Sequence, residues 1–296
     1  IGSLRFSPDG KSLAITCFKG EAYIRNSSRS RILAQFQVSE VESPILSVRW
    51  NPKNQDQLIF SAANGSISSW SIKDQKNLWS VCEKGNTVNS IDISPQGDCF
   101  VSVGSDSVVR VYDIETHQLK TILATTSYMQ GVVTGHTNRV FATFYIDDNL
   151  VASGGWDNTV ILWDIRQGSA ARSIFGPSIC GDAINVVNRG KTLVTGSWRD
   201  TKQLQFWDVS SGNCEKSIDV GAKPNQVNVY AIAVTPNQQF VACAGSSTNR
   251  SMFYRVSDYA LVYQTGIQPS EVTDIHFSSR QFAYGLADST VFVDYY

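Results

Sequence analysis

Short runs of apolar residues alternate with polar turns along the whole chain. β-branched and aromatic residues fill these runs, as at residues 100–103 and 204–209. No segment keeps the apolar spacing of an amphipathic helix over about eleven residues. The pattern therefore predicts an all-β chain of short strands.

One type of run recurs seven times at a nearly constant interval, at residues 22–26, 67–72, 108–114, 160–165, 204–209, 252–256 and 291–296. Its equivalent positions are Arg25, Trp70, Tyr112, Trp163, Trp207, Tyr254 and Asp294, which lie 45, 42, 51, 44, 47 and 40 residues apart. Repeats of this length predict a single seven-bladed β-propeller of four-stranded antiparallel blades over residues 1–296. The units are approximately 1–37, 38–82, 83–134, 135–175, 176–220, 221–266 and 267–296.

Each unit has the same internal order: a first strand, a turn, a second strand, a polar turn, a third strand and a more variable fourth. The first turn reads SPDG at 7–10, SPQG at 94–97 and TPN at 235–237. Proline fixes φ in such a turn, and glycine or asparagine supplies a positive φ. These segments are therefore predicted to be hairpin turns.

Candidate fourth strands follow the third strand in units one to six, at 32–36, 77–81, 119–123, 172–175, 215–219 and 261–265. Unit seven has none before Tyr296. We therefore expect the last blade to have three strands, or to receive its fourth from residues that precede Ile1. The 51-residue interval indicates an insertion near 124–135, which carries Tyr128 and Met129 and offers 130–134 as another fourth strand.

Unit four, residues 135–164, has the most complete motif: a Gly-His pair at its start and Trp-Asp at its end. In this respect the chain resembles the WD-repeat family over nearly its whole length. The resemblance implies a buried polar chain through His136, Ser153, Asp157 and Trp163, which is a structural role. Unit three keeps Ser102 and Asp106 but has Tyr112 in place of the tryptophan. Unit five has Thr195, Asp200 and Trp207 with one extra turn residue, and units one and six lack most of the motif.

The resemblance also implies that the residue before the turn aspartate points out of one face of the ring. Trp156 has this position in unit four and Trp198 in unit five. Arg139, Phe141 and Tyr230, near the starts of first strands, are expected on the same face. Tryptophan and arginine dominate binding energies at interfaces, so these five residues are the candidate partner-binding site.

Composition narrows the function. The chain has 25 basic and 26 acidic residues, which argues against a general affinity for nucleic acid, and it has no apolar run long enough to span a membrane. Six cysteines are scattered singly, so reduced thiols and an intracellular location, cytoplasmic or nuclear, are expected. No cofactor, metal or catalytic residue is predicted, because no histidine or cysteine cluster has a ligand spacing.

Four first strands carry a polar residue just before their last apolar position, namely Arg5, Arg49, Asp92 and His276. Mutual pairing of arginine with aspartate is the interpretation that we favour. Binding of an anion or a phosphorylated segment through Arg5, Arg49 and Arg139 is an alternative. A hydrolase that uses Asp92 and His276 at the propeller mouth is a weaker one. The leading hypothesis is a non-catalytic scaffold, a monomeric propeller that binds a protein or peptide within a hetero-complex.

Overall fold

The computed structural model describes residues 1–296 with the exception of 30, 40–41, 124–125, 128–131, 134 and 222–225. For residues 126–127 and 132–133 it describes the backbone and not the side chains. Blade one contains β1 (Leu4–Phe6), β2 (Ser12–Thr16), β3 (Glu21–Asn26) and β4 (Ile32–Gln37). Blade two contains β5 (Ile45–Asn51), β6 (Asn54–Ala62), β7 (Ser66–Ser71) and β8 (Lys76–Cys82). Blade three contains β9 (Val88–Ile93), β10 (Cys99–Gly104), β11 (Arg110–Asp113) and β12 (Leu119–Ile122).

A two-stranded sheet, β13 (Thr126–Ser127) with β14 (Val132–Val133), follows blade three. Blade four contains β15 (Val140–Tyr145), β16 (Leu150–Gly155), β17 (Thr159–Asp164) and β18 (Ser169–Phe175). Blade five contains β19 (Ile184–Val187), β20 (Thr192–Gly196), β21 (Leu204–Asp208) and β22 (Cys214–Ile218). Blade six contains β23 (Asn228–Val234), β24 (Phe240–Ser246), β25 (Ser251–Arg255) and β26 (Leu261–Gln264). Blade seven contains β27 (Val272–Phe277), β28 (Gln281–Leu286) and β29 (Val291–Tyr295).

The structure confirms a seven-bladed all-β propeller, and the described residues contain no helix. Every blade is an antiparallel meander whose strands are hydrogen-bonded in chain order. The register also supports the alignment of the repeats, because Trp163 faces Val151 and Trp207 faces Leu193 at matching positions of the second and third strands. The repeat spacing therefore corresponds to one blade.

The fourth strand of blade three is β12, so the alternative at 130–134 is wrong for that blade. Tyr128 and Met129, which the sequence places in the inserted loop, lie outside the described residues.

Blade seven has three strands among the described residues, as expected, and β1 pairs with β2 rather than with β29. Among the described residues, blades one and seven are joined by hydrogen bonds and apolar contacts. Asp274 accepts hydrogen bonds from the Ser3 hydroxyl at 3.1 Å and the Leu4 amide at 2.8 Å. An apolar cluster of blade-one residues with Ala283 of blade seven completes this joint.

The hydrophobic core lies between the faces of adjacent blades. One cluster joins Ile24 and Phe36 of blade one to Val48 and Phe60 of blade two, and similar clusters fill the other gaps between blades. The second strands are buried on both faces, whereas the outer fourth strands are largely exposed. This arrangement holds the turns between second and third strands rigidly on one face.

Candidate functional site

The polar chain of blade four runs inward from the turn between β16 and β17. His136 Nδ1 lies 2.7 Å from Asp157 Oδ2, and its Nε2 lies 2.7 Å from the Ser153 hydroxyl. Because a carboxylate only accepts hydrogen bonds, the Nδ1–H donates to Asp157 and Nε2 accepts from Ser153. The Trp163 indole then donates to the same hydroxyl at 2.7 Å. The structure thus brings together the four residues that the family resemblance implies.

Asp157 also anchors the turn itself. Its carboxylate accepts from the Thr137 and Thr159 amides, both at 3.1 Å. Burial alone would raise its pKa, but the hydrogen bond and charge interaction with His136, together with the two amides, outweigh burial and hold the pKa below its ordinary value. These contacts fix the conformation of the turn that presents Trp156.

Blade three uses a different buried acceptor, which the sequence analysis missed. The Glu83 carboxylate accepts from the Ser102 hydroxyl at 2.5 Å, the Tyr112 hydroxyl at 2.9 Å and the Asn86 amide at 2.6 Å. It also pairs with the Arg110 guanidinium at 3.2 Å. Burial and the Glu83 charge raise the pKa of Tyr112. Glu83 thus connects Ser102 with Tyr112, and Arg110 links it to the turn residue Asp106. No Gly-His pair marks its position in the sequence.

Two aromatic pairs stand on one face of the ring. The Trp156 ring is centred 4.8 Å from that of Phe141, and the Trp198 ring 6.4 Å from that of Tyr230. Trp156 is 42% exposed and Trp198 is 47% exposed. The Trp156 indole donates to the Cys180 sulfur at 2.9 Å, and this cysteine lies in the segment that leads into blade five. We refer to Trp156, Phe141, Trp198 and Tyr230 as the aromatic face.

Arg139 lies beside Trp156, whose amide donates to the Arg139 carbonyl at 3.0 Å. Its side chain is exposed and forms no ion pair within the part of the chain that the structure describes. Direct contacts therefore group Arg139, Trp156 and Phe141 of blade four, and Trp198 with Tyr230 of the next two blades. Their role in binding remains a prediction from the sequence.

A network of charged residues lines the central channel. Arg49 pairs with Asp92 at 3.0 Å and with Asp182 at 2.9 Å. Arg5 pairs with Asp274 at 2.7 Å and also with Asp182. Burial, followed by the neighbouring Arg5 charge, lowers the pKa of Arg49 to about 10, which leaves it charged at neutral pH. Arginine–aspartate pairing, the interpretation favoured above, is what the structure contains.

The network bears on both alternative functions. Both channel guanidinium groups are bound to carboxylates, which disfavours anion binding by Arg5 and Arg49. His276 accepts a hydrogen bond from the Phe6 amide at 3.2 Å, and burial together with the two arginines lowers its pKa well below the ordinary value. Within the described residues no hydrogen bond or ion pair joins His276 to Asp92, which disfavours the pair suggested for hydrolysis.

Over the described residues, no group of three or more histidine, cysteine, aspartate or glutamate side chains has an arrangement that could hold a metal ion. The same residues contain no helix long and apolar enough to cross a membrane.

The fold, the repeated hydrogen-bonded blade and the polar chain of blade four define a WD-repeat β-propeller. The family model of the nucleolar protein 10-like N-terminal domain matches residues 77–258, more than half of the chain. The chain belongs to this family of β-propeller domains.

Individual relatives agree with this assignment. A ribosome biogenesis protein WDR12 homolog of Nematostella vectensis is 26% identical over 83% of this chain and 65% of its own length. The target of rapamycin complex subunit wat1 of Schizosaccharomyces pombe is 26% identical over 57% of this chain and 50% of its own length. The chain thus spans less than two thirds of these relatives.

A chain in a crystal structure of the mitotic checkpoint complex superposes with a TM-score of 0.84 at 17% sequence identity. The match covers 100% of this chain and 89% of that one. At this identity the likeness shows the fold alone. The relatives, for their part, include a subunit of a protein complex and a ribosome biogenesis protein.

Proposed function

We propose that this propeller is a non-catalytic docking platform that binds a protein or peptide on the aromatic face and at Arg139. The observation that carries the proposal is the exposure of Trp156 and Trp198 on adjacent blades. Each is held against a second aromatic ring at a fixed distance, so little side-chain freedom is lost when a partner binds.

The burial pattern supports this choice of residues. Trp163 and Trp207 of the same two blades are buried, and their indoles donate to Ser153 and Thr195. Trp156 and Trp198 have no such role in the core. Large apolar side chains that the core does not bury are typical of interaction sites, and tryptophan is the commonest energetic anchor.

The relatives suggest the setting. Since the family is named for nucleolar proteins and one relative for ribosome biogenesis, we place this propeller in an intracellular hetero-complex, with a nuclear location favoured. A monomeric propeller with one binding face is suited to be a subunit of such a hetero-complex. This assignment rests on likeness to those proteins, since a fold by itself does not define a partner.

Affinity capture from native extract tests the proposal. Wild-type protein and the double variant Trp156→Ala, Trp198→Ala are used as baits, and the proteins that they recover are compared. We expect the double variant to lose a defined set of partners while its melting temperature stays within a few degrees of wild type, because neither indole is buried.

A matched control is Tyr295→Ala, which removes an aromatic residue that is 65% exposed. Tyr295 pairs with Gln281 beside the first turn of blade seven, at the end of the blade opposite the aromatic face. This variant should recover every partner. Retention of all partners by the double tryptophan variant would refute the proposal.

A further inference from the structure

A cavity of about 310 Å³ opens at the channel mouth next to the aromatic face. Phe18, Phe141 and Tyr230 are among the residues of its wall, whereas Asp182, Asp274 and Ser90 bring polar groups to it. Its volume is at the lower end of the range for ligand sites, roughly 300–1,000 Å³. It therefore suits a single long side chain better than a helix or a strand.

The channel network below the cavity carries one carboxylate in excess, since Arg5 and Arg49 face Asp92, Asp182 and Asp274. The buried His276 is neutral and adds no positive charge. A negative charge attracts a cation more strongly in a partly desolvated site than the same charge does on an open surface, because water screens it less.

Of these three carboxylates, Asp182 is the one that can still accept a hydrogen bond from a ligand. Both oxygens of Asp92 and both oxygens of Asp274 accept hydrogen bonds. The arginines, in contrast, both bind Oδ2 of Asp182, and Oδ1 has no partner among the described residues. The Asp182 side chain is also the most exposed of the three carboxylates, at 20%. One carboxylate oxygen therefore remains free beside the cavity.

A second polar group at the cavity also lacks a partner. Ser90 is 2% exposed, and its hydroxyl has no hydrogen-bond partner in the part of the chain that the structure describes. Ser90 belongs to the cavity lining. Because an unsatisfied buried hydroxyl is costly, a ligand that bonds to it gains free energy that water-exposed groups do not offer.

We propose that this cavity binds a cationic side chain of the docked partner, an arginine in preference to a lysine. Its guanidinium group donates to Asp182 Oδ1 and to the Ser90 hydroxyl, and its flat faces stack on Phe141 and Tyr230. Planar geometry, several donors and favourable contact with aromatic rings distinguish arginine from lysine at such a site. This inference rests on the proposed docking function and names the anchor that the partner inserts.

The test uses the peptide N-acetyl-Ala-Arg-Ala-amide with the whole chain, followed by NMR titration in the millimolar range. Two matched peptides replace arginine with citrulline, which is neutral and almost the same shape, or with lysine. We expect saturable binding of the arginine peptide, at least tenfold weaker binding of the citrulline peptide and intermediate binding of the lysine peptide. Equal binding of the arginine and citrulline peptides would overturn the inference.

Protein variants locate the site. Asp182→Asn should weaken binding of the arginine peptide at least tenfold, whereas Asp200→Asn, the same change at an exposed carboxylate of blade five, should leave it unchanged. Since Asp182 also holds Arg5 and Arg49, its variant is first checked by melting. If it does not fold, Ser90→Ala and Phe141→Ala decide the question, each with an expected loss of threefold or more. Unchanged binding in these two variants would contradict the assignment.

The two proposals can fail separately. If the double tryptophan variant loses its partners but the arginine peptide binds no better than citrulline, the docking face stands and the arginine anchor is wrong. If the double variant keeps all partners, the docking function is wrong whatever the peptide does. Loss of the same partners in the Asp182→Asn and the double tryptophan variants, together with arginine selectivity, would support both.

Discussion

Removal of His136 tests whether the polar chain stabilises blade four. In His136→Ala the Ser153 hydroxyl keeps the Trp163 indole as a donor but loses the acceptor for its own proton. Asp157 keeps two amide donors and loses the imidazole. One unsatisfied buried hydroxyl costs about 1–3 kcal/mol and the lost hydrogen bond about 1 kcal/mol more. We therefore expect a loss of about 2–4 kcal/mol in the free energy of unfolding.

Urea unfolding followed by fluorescence measures this loss, with Thr137→Ala as the control. The Thr137 side chain is exposed next to His136, so its removal should change stability by less than about 0.5 kcal/mol. A double-mutant cycle with Ser153→Ala should show that the two losses of stability are not additive. His136→Ala leaves the Ser153 hydroxyl without an acceptor, and Ser153→Ala removes that hydroxyl. A His136→Ala variant within about 0.5 kcal/mol of wild type would refute the structural role of the chain.

Three further predictions concern stability. Because the folded-state pKa of Asp157 lies below its unfolded value, its contribution is present above about pH 4 and is lost as the pH falls through the folded pKa. Unfolding at pH 3 to 7 should therefore show wild type and Asp157→Asn converging at the acid end, and a constant difference would contradict this. Glu83→Ala should cost about 3–5 kcal/mol in chemical unfolding, because buried donors lose their shared acceptor; a loss below about 1 kcal/mol would show that water replaces it. Gly245→Ala should destabilise blade six by at least about 1–3 kcal/mol in thermal melting, because its Cβ would overlap the Asn228 carbonyl oxygen, and an unchanged melt would contradict that geometry.

Local sequence patterns were sufficient for the fold. Short apolar runs rich in β-branched and aromatic residues, together with proline-containing turns, identify the strands within each unit, and the repeat spacing counts the blades. The four members of the blade-four chain could be named because they lie in one unit of well-preserved motif. Glu83 could not be named from the sequence, because no Gly-His pair precedes β9. Only the folded structure places its carboxylate beside Ser102 and Tyr112.

The channel network was only partly accessible from the sequence. Arg49 and Asp92 occupy the same position of two first strands, so pairing of arginine with aspartate could be predicted, and the structure contains that ion pair. Asp182 meets Arg49 across the channel, 133 residues away in the chain, and Asp274 meets Arg5 only because the ring closes. Such contacts depend on the curvature of the complete ring, which no local pattern encodes. The open carboxylate oxygen of Asp182 therefore emerged only from the structure.

The most direct test of the account is the dissociation constant of a captured partner, purified and titrated against the wild-type propeller and the Trp156→Ala, Trp198→Ala variant. If the two indoles are anchors worth at least about 1–2 kcal/mol each, the double variant should bind roughly 30-fold to 1,000-fold more weakly. The Tyr295→Ala control should bind within twofold of wild type. A double variant that also binds within twofold would contradict the claim that the aromatic face is the docking site.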